Sequence, residues 1–116
     1  MTADDFRRLA LALTDTVESA HMGHPDFRVN GRIFATLHAD MKFGMVALTP
    51  EQQAEFRRRD EAFSPENGAW GRQGSTRVTL ADVEEEILGE ALTLARRNAV
   101  AKAAARPAPK KKKPRV

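Results

Sequence analysis

The chain has 116 residues, 41% of them hydrophobic and 30% charged, a balance typical of a globular domain. It contains no cysteine, which excludes disulfide frameworks, thiolate zinc sites, iron–sulfur clusters and cysteine nucleophiles. The net charge is +3, but six positive charges and no acid fall in residues 106–116, which we call the tail. Residues 1–105 are therefore mildly acidic, and the basic character belongs to the tail.

The sequence predicts neither a membrane helix nor a secretory signal. No stretch approaches the ~20 apolar residues that a membrane helix needs. Asp4 and Asp5 precede the first apolar run, whereas a secretory signal begins with basic residues. We therefore expect a soluble, cytoplasmic protein that does not engage a membrane.

The first half of the chain predicts a helix followed by a β-meander. Thr2 and Asp5 have the spacing of a capping box, and apolar residues then recur at helical intervals. Beyond this helix the apolar spacing becomes strand-like, and Asn30-Gly31 is a strong hairpin signal because both positions favour a positive φ. The predicted meander strands include residues 27–29, 32–38 and 43–48.

The second half predicts a middle helix and a second hairpin. Four agreeing signals predict a helix start at Thr49, Pro50, Glu51 and Gln52, and we expect this helix to end near Arg59. Two short strands are then predicted around Gln73-Gly74, over residues 69–72 and 75–80.

A long final helix completes the predicted fold. Its apolar face runs from Val83 to about Asn98, and Thr79 is the expected cap. The order of elements predicts an α+β fold in which helices cover an antiparallel sheet. We expect one domain over residues 1–105 and, because of its prolines and lysines, a disordered tail over residues 106–116.

Two imidazoles and a carboxylate gather in the segment His21–Asp26. His21 and His24 flank a glycine turn and could supply half of a metal's ligand set, or they could be structural and bond the backbone of the turn. Neither a nucleophile nor an oxyanion donor accompanies them, so we predict no enzyme, no cofactor and no bound metal. The alternative function is a small-ligand or metal-binding domain, with a possible site at His21, His24, Asp26 and Trp70.

Basic side chains on the predicted hairpins suit contacts with DNA phosphates, although each could also be a solvated surface residue. The tail would attract any polyanion without sequence choice, and it could instead be a solubilising terminus. Trp70 could stack on an exposed base or belong to the core. The candidate nucleic-acid contacts are Arg28, Arg32, Lys42, Arg72, Arg77, Lys110, Lys111, Lys112, Lys113 and Arg115.

Four segments, in order along the chain, resemble the landmarks of the bacterial MmcQ/YjbR family: His21–Val29, Arg32–Leu37, Leu48–Gln52 and Ala69–Thr76. The resemblance covers roughly residues 4–98 and leaves out the tail. It implies a fold similar to CyaY, the bacterial frataxin, with an antiparallel sheet packed by helices. It also implies DNA binding by hairpins in a double-wing arrangement, and it brings no catalytic residue set.

Frataxin-like iron binding is not expected, because Arg7 and Arg8 follow directly after the acids of the first helix. The leading interpretation is therefore a cytoplasmic, non-enzymatic DNA-binding protein that contacts phosphates through its hairpins and its tail.

Overall fold

The computed structural model describes residues 1–105, and the predicted disordered tail lies outside the described residues. Its helices are α1 (Ala3–Leu11), α2 (Pro50–Arg59), α3 (Gly68–Arg72) and α4 (Glu85–Ala105). Its strands are β1 (Val17–His21), β2 (His24–Val29), β3 (Arg32–Leu37), β4 (Phe43–Ala47), β5 (Phe63–Pro65) and β6 (Ser75–Thr79).

The six strands form one antiparallel sheet in the order β1-β2-β3-β4-β6-β5. Two-residue turns at Met22-Gly23 and Asn30-Gly31 connect the first three strands, and all four residues have a positive φ. The predicted α+β class and the meander around Asn30-Gly31 are therefore confirmed.

The alternation of side chains gives the sheet two different faces. Helices α1, α2 and α4 pack with one face into a single core, which includes Phe6, Phe27, Leu37, Val46, Phe56, Val78 and Leu88. The other face carries a row of residues that are neighbours across β2, β3, β4 and β6, namely Asp26, Thr36, Met45 and Arg77. We call this second face the open face.

Both predicted capping boxes are present. At α1 the Thr2 hydroxyl accepts a hydrogen bond from the Asp5 N–H at 3.1 Å, and the Asp5 carboxylate accepts from the Thr2 N–H at 2.9 Å. Thr49 and Gln52 repeat the arrangement at α2, with distances of 3.1 and 3.0 Å. These local signals fixed the two helix starts because they satisfy backbone donors without help from distant residues.

The predicted second hairpin needs a correction in its first strand. Residues 69–72, including Trp70 and Arg72, lie in helix α3 instead of a strand. Strand β6 pairs with β4 on one side and with β5 on the other, so the partner strand is residues 63–65. Pairing with β4 and β5 satisfies the backbone hydrogen bonds of β6 on both sides. The chain between Pro65 and β6 therefore has no strand partner there and forms the short helix α3.

The final helix also differs from its prediction. It begins at Glu85, because the N–H groups of Asp82 and Val83 bond to the Thr79 carbonyl in a separate turn, so Thr79 is not its cap. It continues past Asn98 to Ala105 through a run rich in alanine, the best helix former. None of the helices within residues 1–105 combines the length and apolar character that crossing a bilayer requires.

Candidate functional site

A fully buried carboxylate, Asp26, organises the β1–β2 side of the open face. Its Oδ1 accepts a hydrogen bond from Arg28 Nε at 2.8 Å, and its Oδ2 lies 3.0 Å from Arg28 Nη2 and 2.7 Å from His21 Nδ1. The hydrogen bonds from Arg28, assisted by His21, lower the pKa of Asp26 although burial opposes them. Because Asp26 is ionised at neutral pH, His21 donates through Nδ1, and its Nε2 is the acceptor nitrogen of the neutral ring.

A second carboxylate repeats this arrangement farther along the sheet. Glu66 Oε2 lies 2.8 Å from His38 Nε2, and Glu66 Oε1 accepts from Arg77 Nη2 at 3.2 Å. The guanidinium of Arg77 also lies 5.5 Å from the centre of the Phe43 ring, within cation–π range. Each carboxylate thus binds one histidine and one arginine, and both arrangements hold charged side chains against the open face.

Between these two clusters lies a cleft of about 790 Å³. Its floor comes from the open face and its neighbouring strand ends, and includes Ile33, Thr36, Met45 and Ala47. Residues 66–73 form one side, and the C-terminal part of α4 contributes Asn98, Ala99 and Lys102. His21 and Arg32 also line it. The cleft therefore combines an apolar floor with a few polar and cationic side chains, as ligand sites in proteins do.

Helix α3 places Trp70 beside the cleft. A positive φ of 67° at Gly68 allows the chain to turn into this helix, and Gly71 lies so close to the Glu66 carbonyl that a Cβ there would collide with it. The buried Gln53 amide on α2 lies 3.0 Å from the Gly71 carbonyl and 3.1 Å from the Ser75 carbonyl. These contacts fix α3 to α2 and β6, so Trp70 stands on a well-anchored element although its side chain is exposed.

The structure separates the predicted nucleic-acid contacts into different groups. Arg28 and Arg77 are bound to Asp26 and Glu66, whereas Arg32 lines the cleft. Arg72 is exposed on α3, and Lys42 lies in the β3–β4 turn beside the N-terminus of α1. The predicted contacts Lys110, Lys111, Lys112, Lys113 and Arg115 lie outside the described residues.

The predicted ligand residues are brought together only in part. His21 and Trp70 line the same cleft, and Asp26 lies behind His21 as its hydrogen-bond partner. The His24 ring has its centre 6.0 Å from that of His21, but His24 does not line the cleft. Within residues 1–105 no three His, Cys, Asp or Glu side chains converge in a way that could hold a metal ion.

Sequence reasoning missed Glu66, Gln73 and Lys102, which all line the cleft. No spacing could have identified Glu66, because its partners His38 and Arg77 are distant in the sequence and meet it only through the sheet. Lys102 did carry a signal: it is the only charged residue between Arg97 and the tail, in a segment otherwise rich in alanine.

Comparison with known proteins gives the chain a family. The sequence model of the YjbR family matches residues 11–98. The chain belongs to the YjbR family. The match contains all the cleft residues from His21 to Asn98, while Lys102 and the tail lie beyond it. The resemblance drawn from the sequence is thereby confirmed.

The fold of this YjbR protein is also similar to a solved structure, the crystal structure of the Deinococcus radiodurans protein DR2400, described as a DUF419 domain. The TM-score is 0.68 and the sequence identity 23%, over 90% of this chain and 80% of that one. The similarity at this identity concerns the fold. No curated protein matches the sequence.

The geometry of the YjbR cleft indicates binding chemistry. Trp70 offers an aromatic face, Arg32 and Lys102 offer positive charge, and Gln73 and Asn67 offer amide donors and acceptors. A ligand that satisfies all of them has a flat ring, polar edges and negative charge.

Proposed function

We propose that this YjbR protein is a non-enzymatic DNA-binding protein of the bacterial cytoplasm, in which the cleft and the tail bind phosphates together. One observation carries the proposal: Arg32 and Lys102 both line the cleft, and neither belongs to an ion pair within residues 1–105. Helix α4 ends at Ala105, about 4.5 Å along its axis from Lys102, and the basic tail follows this helix directly in the sequence.

The ion pairs of the open face change which residues we assign to phosphate contacts. Arg28 and Arg77 already form ion pairs with Asp26 and Glu66, and a phosphate would have to displace those carboxylates. Arg32, Arg72 and Lys102 have no such partner in the described part of the chain, so the proposal assigns local phosphate contacts to them. Arg28 and Arg77 instead hold the open face in shape.

The distribution of charge supports two separate contributions to binding. Residues 1–105 carry 16 acidic and 13 basic groups, whereas the tail carries six positive charges and no acid. Long-range attraction to a polyanion would therefore come from the tail, and specific placement would come from the cleft, because only close contacts overcome the mild negative charge of residues 1–105.

The test compares the full chain with a full-length variant in which Lys110, Lys111, Lys112 and Lys113 are changed to alanine. Fluorescence anisotropy with labelled DNA over a salt series gives the slope of log affinity against log salt. On a duplex this slope is about 0.9 per neutralised phosphate, so the tail variant should lose about 3–4 in slope if all four lysines make contacts.

The DNA affinity that remains in the tail variant tests whether the cleft itself binds DNA. It should weaken further with Arg32→Ala and stay unchanged with Arg57→Ala, which removes the same charge from an exposed position on α2 outside the cleft. A full chain that binds no DNA at low salt would refute the proposal.

A second candidate function is binding of a metal ion or small ligand at His21 and His24. The hydrogen bond between buried Asp26 and His21 Nδ1, at 2.7 Å, favours it, because metal-binding histidines usually donate their other nitrogen to a carboxylate or carbonyl. The centres of the two imidazole rings are 6.0 Å apart, so both rings could approach one ion with water as the further ligands.

Titration of the full chain with Zn²⁺ and Ni²⁺, followed by calorimetry, tests this candidate. Binding should be saturable and should be lost with His24→Ala, while His38→Ala should leave it intact because His38 is engaged with Glu66. Absence of saturable binding, or equal loss with both variants, would reject the histidine turn as a metal site.

A further inference from the structure

Trp70 is the only tryptophan of the chain, and 72% of it is exposed. Tryptophan is highly buried on average, because its ring carries a large apolar surface. Loose packing does not account for the exposure of Trp70, since α3 is anchored by Gln53 and by the close approach of Gly71 to Glu66. Trp70 lines the same cleft as Ile33, another exposed apolar side chain, and such grouped apolar surface at a cleft indicates a contact surface.

The other residues of the cleft suit a flat, anionic partner. Its floor is a sheet surface with an apolar strip formed by Ile33, Met45 and Ala47. Asn67 and Gln73 place amide groups on the same side as Trp70, where they can bond to donors or acceptors on the edge of a ring. Arg32 and Lys102 add two positive charges, and the Glu66 carboxylate, which also lines the cleft, is paired with His38 and Arg77.

We infer that the cleft holds an unpaired nucleobase of single-stranded DNA, with its ring stacked on Trp70 and its neighbouring phosphates bound by Arg32 and Lys102. The inference rests on the DNA binding proposed above and specifies its substrate. In a duplex the bases are paired and stacked on one another, so their faces are not available to a side chain. A single strand presents these faces, and stacking on an aromatic side chain tolerates any base.

The size of the cleft and the charge of the tail favour a strand over a free nucleotide. A volume of about 790 Å³ lies in the range of small-molecule sites, so the cleft accommodates about one nucleotide unit. The six positive charges of the tail begin at Arg106, directly after the helix that carries Lys102. A strand carries enough phosphates to engage these charges as well as the cleft, whereas one nucleotide carries too few to engage six of them.

The single tryptophan provides a direct test in the full-length protein. Oligothymidylate should quench Trp70 fluorescence in a saturable manner, whereas an abasic oligonucleotide of equal length should bind more weakly and quench little. The abasic strand keeps the phosphates and lacks the rings, so it separates stacking from charge. A duplex should also quench less than the single strand.

Variants then assign the contacts by anisotropy with the labelled single strand. Trp70→Ala should weaken binding about 5- to 150-fold, as loss of one stacked base does, and Trp70→Phe should restore part of the affinity. Arg32→Ala should reduce affinity for the single strand and the abasic strand alike. The matched controls are Met22→Ala, an exposed apolar side chain outside the cleft, and Arg57→Ala, and neither should change binding.

Each contrary result has a distinct meaning. Equal affinity for duplex, single and abasic strands, with no effect of Trp70→Ala, would overturn the inference and leave DNA binding in place. If thymidine monophosphate binds as tightly as the oligonucleotide, the inference of a single strand is overturned and the ligand of the cleft is a free nucleotide. Failure of the full chain to bind any DNA would overturn the proposed function itself.

Discussion

Asp26 lies fully buried on the open face, and the side chains of Arg28 and His21 both bond to its carboxylate. A carboxylate without water needs such partners, because an unpaired buried charge is very costly. The two partners are only partly exposed themselves, so the cluster behaves as one packed unit. His21 is thereby held at the cleft.

Replacing this carboxylate should change both stability and its pH dependence. Asp26→Asn should lower the free energy of unfolding at pH 7 by about 1–3 kcal/mol, with solvent at Arg28 and His21 limiting the loss. Since the pKa of Asp26 is lowered from its ordinary 3.8, the stabilisation is complete above that pH and disappears as pH falls through the folded-state pKa. Urea unfolding at pH 7 and pH 3 should therefore show a difference that shrinks in acid.

Asp4→Asn is the matched control, because Asp4 also pairs with an arginine but its side chain is 90% exposed. Its effect at pH 7 should stay within about 1 kcal/mol, as for other surface ion pairs. If Asp26→Asn and Asp4→Asn lower the free energy of unfolding equally, the burial of Asp26 does not strengthen its ion pair as described.

Residue pairs on the open face differ in how far the sequence reveals them. His21 and Asp26 are close in sequence across a tight turn, so the sequence analysis grouped them in one candidate site, but it did not predict the hydrogen bond between their side chains. Glu66 meets His38 and Arg77 only after β6 has inserted beside β4, so its role depends on strand order. Hairpin contacts are local, whereas contacts across non-consecutive strands require the tertiary fold.

Helix α3 and strand β6 are joined by a turn with a strict requirement at Gly74. Its φ is 115°, a conformation that side-chain-bearing residues rarely adopt, and a Cβ there would collide with the Leu48 carbonyl oxygen. The Leu48 N–H donates to the Gly74 carbonyl at 3.3 Å, so two chain segments meet at this turn. The position therefore couples α3 to the end of β4.

Two glycine-to-alanine substitutions should have opposite effects on stability. Gly74→Ala should lower the free energy of unfolding by about 2–4 kcal/mol through strain and displacement of the Leu48 backbone. Gly89→Ala should raise it by about 0.5–1 kcal/mol, because Gly89 lies inside α4 with open space at its Cβ position. Thermal unfolding followed by circular dichroism measures both, and an unaffected Gly74→Ala protein would contradict the described turn.

The elements themselves could be predicted where their signals are local. The capping boxes at Thr2 and Thr49 and the turn at Asn30-Gly31 each satisfy their own backbone, and all three are present. Residues 69–72 carry no comparable signal. Their helix depends on Gln53 from α2 and on β6 pairing with β4, and neither is visible from that segment alone.

At the scale of the molecule, the two faces of the sheet have different roles. The long helices and the face bearing Phe27, Val46 and Val78 form the core, which leaves the opposite face to carry charged clusters and the cleft. In β2 the apolar Phe27 and Val29 alternate with the polar Asp26 and Arg28, which marks the buried face, whereas β3 and β4 are too uniformly apolar for their buried face to follow from the binary pattern. It did not predict the cleft, which needs the strands, α3 and α4 to meet at one place.

Helix α4 has a further consequence, since it lines the cleft through Lys102 and ends at Ala105 with the tail attached. Under the proposed function the cleft and the tail would be two binding sites on one chain, and the second contact would form at an effective concentration in the millimolar range, as for short flexible linkers. Each site can then be weak by itself. A strand that dissociates from the cleft would remain tethered by the tail and rebind before it diffuses away.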